Sequence, residues 1–260
     1  MRVNLRKSLF ILPNLFTVSS IFCGFYAAVL CIGTASQEDH YKAALLILYA
    51  MFFDTIDGRV ARLTRTQSSF GVQLDSLADV VSFGVAPALL VYSWALQPLG
   101  IVGVGACFAF VACGAIRLGR FNVLAMADDG APKKPGRYIL GLPIPGAAGI
   151  LVSLVAANHA VSGGLPSSPV PILVVVISLS LFMVSTIKFR SFKDLTMNWR
   201  TVLLVAFAIG SSTVLALKLH MAFALGWLLT SYVAIGLVES IIGLSRKAVR
   251  RGRDSENEAG

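Results

Sequence analysis

Eight apolar runs, each about the length a helix needs to cross some 30 Å of hydrocarbon, constrain this chain more than any other feature. They fall at about 14–33, 42–62, 71–96, 99–121, 143–160, 170–187, 201–217 and 221–244. With 56% hydrophobic residues, 13% charged and a mean hydropathy of +0.78, the 260 residues have too little polar surface for a soluble fold. The expected fold is therefore all-α and integral to a membrane: a bundle of about eight transmembrane helices with a short N-terminal amphipathic segment. Short connections make 1–245 one polytopic domain, and 246–260 reads as a charged cytoplasmic tail.

The basic residues set the orientation. If both termini are cytoplasmic, every Lys and Arg of the 22 except Lys42 and Lys218 falls in a cytoplasmic segment. The net charge of +9 thus bears on topology and anionic lipid rather than on nucleic acid. Residues 2–12 alternate Arg2, Arg6 and Lys7 with Leu5, Leu9 and Phe10, the pattern of a helix lying on an anionic membrane surface or of a basic flank. A cleavable leader ending near Gly33-Thr34-Ala35 fits less well. Leu15 to Ile32 is long for its apolar part, and Pro13-Asn14 reads as a helix start.

Against this sparing use of charge, 54–79 carries four aspartates. Asp54 and Asp57 are three residues apart and Asp75 and Asp79 four apart, so each pair shares a helix face. Gly58, Ala61 and Arg62 fall on the side of the first pair, and Gly71 lies one turn before Asp75. Folding about the polar turn Thr64 to Ser69 brings the four carboxylates together at the cytoplasmic membrane surface. They would repel one another and be costly to desolvate, so a positive partner is required. A salt-bridge network with Arg59, Arg62 and Arg65 is one solution. One or two divalent cations are the better one, since hard oxygen ligands suit Mg²⁺ or Mn²⁺ and such ions stabilise charge on a diphosphate.

The pattern D-x2-D-G-x2-A-R-x8-G-x3-D-x3-D, filled by Asp54, Asp57, Gly58, Ala61, Arg62, Gly71, Asp75 and Asp79, resembles the signature of the CDP-alcohol phosphotransferases, with every fixed position present. Further stretches are similar to the members whose acceptor is L-serine: L-P-N-L-F-T at 12–17, D-S-L-A-D-V-V-S-F-G-V-A-P-A at 75–88, R-L-G-R-F-N at 117–122 and G-L-P-I-P-G-A-A-G at 141–149. Members that use glycerol 3-phosphate tend to have proline after the third aspartate, where Ser76 stands here. Relatives tend to have alanine where Gly119 stands.

The resemblance implies transfer of a phosphatidyl group from CDP-diacylglycerol to L-serine. It implies two metal ions held by Asp54, Asp57, Asp75 and Asp79, with Asp79 also the general base. Gly58, Ala61, Arg62 and Gly71 would line the CDP site. It further implies a homodimer, and the bacterial-looking sequence an inner (plasma) membrane with a cytoplasmic active site. Another acceptor, such as glycerol 3-phosphate or an inositol compound, is the nearest alternative. A divalent cation transporter is a different one, though no second set of acids continues across the bilayer.

Other residues have more than one reading. Arg117 and Arg120 could contact the diphosphate or the serine carboxylate, or snorkel to headgroups. Lys133, Lys134 and Arg137 form a basic loop suited to headgroups or to substrate phosphate. Ser82 and Phe83 read as packing residues or as contacts that select serine, and Pro87, Pro143 and Pro145 as kinks or helix ends. Glu239 reads as a structural hydrogen bonder, and Gly100, Gly103 and Gly105 as aids to close helix packing. Cys23, Cys31, Cys107 and Cys113, without C-x-x-C spacing, read as small buried hydrophobes. His40, His159 and His220 are too scattered in sequence for a histidine-based site.

Overall fold

The computed structural model describes residues 5–64, 66, 68–125, 138–161, 168–190, 210–213, 223–231 and 233–234. Its helices are α1 (Leu5–Leu30), α2 (Gln37–Leu63), α3 (Ser69–Asp79), α4 (Ala86–Val91), α5 (Ile101–Ala125), α6 (Ile144–Ala160) and α7 (Pro169–Val184). A π-turn at Val80–Val85 joins α3 to α4, and a second at Tyr92–Leu96 leads through a 3₁₀ turn, Gln97–Leu99, towards α5. Among the described residues, three stretches are long and apolar enough to cross a membrane: Pro13–Leu30, Ser69–Leu99 and Ile101–Leu124. Ile144–Ala160 and Pro169–Val184 are shorter apolar helices.

One expectation about helix ends is corrected. Pro13 does not start α1 but lies inside it, because the helix already runs from Leu5. Proline's φ suits a helix, and the local cost is one missing N–H bond and crowding of the carbonyl four residues back. Pro87, expected as a kink or a helix end, stands at the start of α4 where the regular helix is interrupted. The turn before it widens, with the Ala86 N–H reaching the Val81 carbonyl, five residues back. The extra residue makes room for the proline ring, which in a regular helix presses on the carbonyl of Phe83. The same device precedes Pro98, where the Gln97 N–H reaches the Tyr92 carbonyl.

Residues 31–36 turn the chain between α1 and α2, with Gly33 at φ 78°. The Ser36 hydroxyl accepts from the Asp39 N–H at 3.1 Å while the Asp39 carboxylate accepts from the Ser36 N–H at 3.0 Å, a reciprocal cap that starts α2. α6 runs through the middle of the molecule, and most of its residues from Ile144 to Asn158 are buried. Pro143 and Pro145 open it, as expected.

Where helices touch without water to drive them together, small residues set the distance. A Cβ on Gly114 would fall 2.5 Å from Ile144 Cδ1, and one on Gly149 2.6 Å from Leu229 Cδ1. Of the expected glycine set only Gly103 serves this purpose, its Cβ position being 2.4 Å from the Leu96 carbonyl oxygen. Gly100 takes φ 54° in the turn before α5, and Gly105 faces open space. Cys23, Cys31 and Cys107 are buried and Cys113 half-buried, all as free thiols.

A short antiparallel ribbon, absent from the expected all-α fold, pairs β1 (Tyr138–Leu140) with β2 (Lys188–Arg190). Gly141, at φ 76°, carries the chain from this ribbon towards α6, and a Cβ there would meet the Met183 carbonyl oxygen. Its N–H donates to Ile187 O and that of Leu142 to Phe182 O. Arg65, Lys133, Lys134, Arg137, His220, Glu239, most of the last two expected spans and the tail at 246–260 lie outside the described residues.

Candidate active site

α2 and α3 deliver the aspartates as their spacing requires. The Ser68 hydroxyl accepts from the Gly71 N–H at 3.0 Å and caps α3, whose Gly71, Val72 and Asp75 border the same cleft as Asp57, Gly58, Ala61 and Arg62 of α2. Asp54, Asp57 and Asp75 each present a carboxylate oxygen, and these three oxygens lie within 4.8 Å of one another. Asp57 is the deepest, at 4% exposure, while Asp54, Asp75 and Asp79 are half-buried. Asp79 sits beside this trio, with its carboxylate in hydrogen-bonding reach of Asp54. Its Oδ1 is buried and has no hydrogen-bond partner among the described residues.

Two of the three cations expected nearby do not pair with the group. Arg59 and Arg62 are exposed, and among the described residues neither forms an ion pair within 4.0 Å of the aspartates. Arg62 instead lies over Gly58, whose absent Cβ would stand 3.5 Å from its Nη1. The described residues thus show no salt-bridge network of the aspartates with Arg59 or Arg62. Three converging carboxylates and an unpartnered buried oxygen form a hard-oxygen donor set, which fits a divalent cation.

Beside the carboxylates opens a cleft of about 190 Å³. Asp57 and Asp75 are at its edge, and Gly58, Ala61, Arg62 and Gly71 all line it. Pro13, Asn14 and Thr17 of α1 form another wall. A side chain at Gly71 would crowd the Ser68 hydroxyl at 3.2 Å and approach Asn14 Oδ1 at 3.7 Å. The cleft is thus kept open by the small residues at fixed positions of the pattern.

Thr17 is a residue of the site that sequence chemistry did not single out. Its hydroxyl lies 2.7 Å from Asp57 Oδ2 and 3.1 Å from the Pro13 carbonyl, so its single proton goes to the nearer, charged acceptor. The bond orients Asp57 from outside the cluster. Thr17 belongs to the L-P-N-L-F-T stretch, but forty residues separate it from Asp57 and no local pattern links them.

The two arginines of α5 take different places. Arg117 is buried, at 7% exposure, with its guanidinium 5.6 Å from the centre of the Phe121 ring and its charge acting on Asp79. Arg120 donates to the carbonyls of Val184 at 3.0 Å, Ser185 at 3.1 Å and Leu140 at 3.4 Å, clasping the end of α7 to the ribbon. One turn apart, they do not share the aspartate site. A second tie joins α5 to α3, where Asn122 Nδ2 donates to Ser76 Oγ at 2.8 Å and Ser76 in turn donates to the Val72 carbonyl.

Paired aspartates on two helix ends, a cleft kept open by glycine and alanine, and a third wall from α1 define a class. The chain belongs to the CDP-alcohol phosphatidyltransferase family, whose model matches residues 10–238, and is thus an enzyme of the transferase class. Its relatives include the CDP-diacylglycerol–serine O-phosphatidyltransferase of Helicobacter pylori strain 26695, 39% identical over 200 residues that cover 76% of this chain and 79% of the relative. The protein of that name from Bacillus subtilis strain 168 is 35% identical over 182 residues, 70% of this chain and 91% of the relative. One from Saccharomyces cerevisiae is 43% identical over 133 residues, about half of each chain.

Proposed function

We propose that this protein transfers the phosphatidyl group of CDP-diacylglycerol to the hydroxyl of L-serine, giving phosphatidylserine and CMP. The observation that carries the proposal is the convergence of Asp54, Asp57 and Asp75 at the edge of a cleft lined by Gly58, Ala61, Arg62 and Gly71. The names of the relatives support serine as the acceptor.

Asp54, Asp57, Asp75 and Asp79 hold the divalent metal, Mg²⁺ or Mn²⁺ and two ions in this reading. Bound there, the metal supplies positive charge to the diphosphate oxygens and to the departing phosphate. Gly58, Ala61 and Gly71 leave room for the nucleotide beside the carboxylates, and Arg62 borders the same cleft. Thr17 fixes the orientation of Asp57. Asp79 takes the proton of the serine hydroxyl, for which its unpartnered Oδ1 is suited. The serine oxygen forms a bond to the phosphorus that carries diacylglycerol, the bond from that phosphorus to the CMP oxygen breaks, and CMP leaves with the electron pair. Arg117, beside Asp79, is placed to meet the diphosphate or the serine carboxylate, whereas Arg120 is engaged by carbonyls.

About eight membrane spans, a cytoplasmic site in the inner (plasma) membrane and a homodimer complete the reading. Contacts among ends assigned to the cytoplasm support the orientation, since Asn122 ties the last turn of α5 to Ser76 of α3 and Arg120 ties α5 to the end of α7.

Purified protein incubated with CDP-diacylglycerol, Mg²⁺ or Mn²⁺ and L-serine, glycerol 3-phosphate or inositol in turn should release CMP and form phosphatidylserine with serine alone, and EDTA should stop it. A different lipid product would replace the acceptor. Metal flux into proteoliposomes without CMP would replace the enzymatic reading by transport.

A further inference from the structure

The π-turn after Asp79 is anchored to α1 by a contact that the reaction as described above does not use. Ser82, fully buried, donates its hydroxyl to the Ser20 carbonyl at 3.0 Å, and the Ser20 hydroxyl donates back to Ser82 Oγ at 3.3 Å. One turn further along α1, Gly24 brings the backbones together. A Cβ there would stand 2.6 Å from Ser82 Cα and 2.9 Å from its Oγ, so any side chain must push the two segments apart. Thr17, Ser20 and Gly24 are three and four residues apart, hence on one face of α1. That face supports Asp57 with one residue and the π-turn with the other two.

A π-turn inserts a residue and shifts the helical phase downstream by about 100°. Asp79 lies immediately before this turn, so its rotation relative to the packed segment that follows depends on where the wide turn is held. Unpinned, the turn can migrate or revert to regular helix at its start, rotating Asp79 relative to Asp54. The opposing partners of Asp79 come from α2 and α5, namely Asp54 and Arg117, and neither fixes the π-turn itself.

We propose that Ser82, held by Ser20 and seated against Gly24, positions Asp79 for proton transfer. This rests on the reading of Asp79 as the base. Ser82 and Gly24 are positioning residues: they act through the backbone of the π-turn and touch no substrate.

The test measures kcat, and KM for CDP-diacylglycerol, of the full-length enzyme in liposomes, with the amount folded set by thermal unfolding. Ser82→Ala should lower kcat at least tenfold and leave KM within twofold, since the cleft beside Asp57 and Asp75 is untouched. Gly24→Ala should do the same, and Ser20→Ala less, because the Ser20 carbonyl still accepts. Gly105→Ala, whose Cβ meets open space, should match the parent. In an Asp79→Glu background Ser82→Ala should cause no further loss, because two changes acting through one group do not add.

A parent-like kcat for folded Ser82→Ala overturns the proposal, as does a rise in KM that accounts for the loss, or a full further loss in the Asp79→Glu background. If Gly24→Ala does not fold, Ser82→Ala and Ser20→Ala decide. Asp79→Asn in the same assay separates the two layers. Inactive Asp79→Asn with active Ser82→Ala sinks the positioning role alone, whereas active Asp79→Asn sinks the base and the proposal built on it.

Discussion

The two ends of the helix bundle treat charge in opposite ways. At the end where α2 begins, the charged side chains find partners within the fold, although His40 Nδ1 is buried without a partner among the described residues. Lys42 lies 3.6 Å from Glu38, His159 stacks on Tyr41 at 4.1 Å and reaches Glu38 at 4.0 Å, Asp39 caps α2, and His40 Nε2 meets Ser93 Oγ at 3.0 Å. At the end where α2 finishes, three carboxylates converge, and a fourth keeps an oxygen buried without a partner. The acidic side chains of the first end are paired or cap a helix, whereas those of the second are gathered with no ion pair to a described lysine or arginine.

The comparison can be broken at either end. Asp75→Asn removes one of the three converging oxygens and should cut CMP release by at least about 100-fold in folded protein, as loss of a charge-stabilising group in a dry site does. Near-parental activity would remove the metal role from the cluster. Thr17→Val keeps the shape and deletes the bond to Asp57. The metal concentration for half-maximal activity should rise by about 10- to 100-fold, with activity recovering at saturating metal. An unchanged metal titration would reduce Thr17 to a packing residue. At the opposite end Glu38→Gln loosens an ion pair whose side chains are 54% and 56% exposed. The change in stability should stay under about 1 kcal/mol by thermal unfolding, with CMP release unaffected. A large loss there would erase the distinction between the two ends.

Much of the site was legible because helical spacing and residue type are local. Asp54, Asp57, Gly58, Ala61 and Arg62 share a face by arithmetic, and the turn at 64–68 folds that face onto Gly71 and Asp75. The order of the apolar runs through Pro169–Val184 was legible for the same reason. What escaped depends on contacts between distant segments. The bond from Thr17 to Asp57 and the Ser20 and Ser82 pair each join α1 to residues at least forty positions away. One proline misled. Pro13 carries the local sign of a helix boundary, but a long membrane-type helix absorbs it by giving up a bond, whereas at Pro87 the helix is interrupted by a widened turn as a kink requires. The ribbon of Tyr138–Leu140 with Lys188–Arg190 escaped because each strand is too short to show alternation. Arg117 and Arg120 looked equivalent one turn apart, and only the position of the α7 carbonyls separates them.

The pairing of α1 with α2 through the short connection at 31–36 has a consequence for how the catalytic centre comes into being. Asp54, Asp57 and the supporting Thr17 all belong to this first hairpin, whose partners are neighbours along the chain. Segments joined by a tight reverse turn meet early and with little loop-closure cost. Half of the carboxylate set, already oriented, thus precedes α3 off the ribosome, and Asp75, Asp79 and finally Arg117 are added to a template. An order of assembly that follows the sequence puts Gly58, which lines the cleft, among the first parts in place.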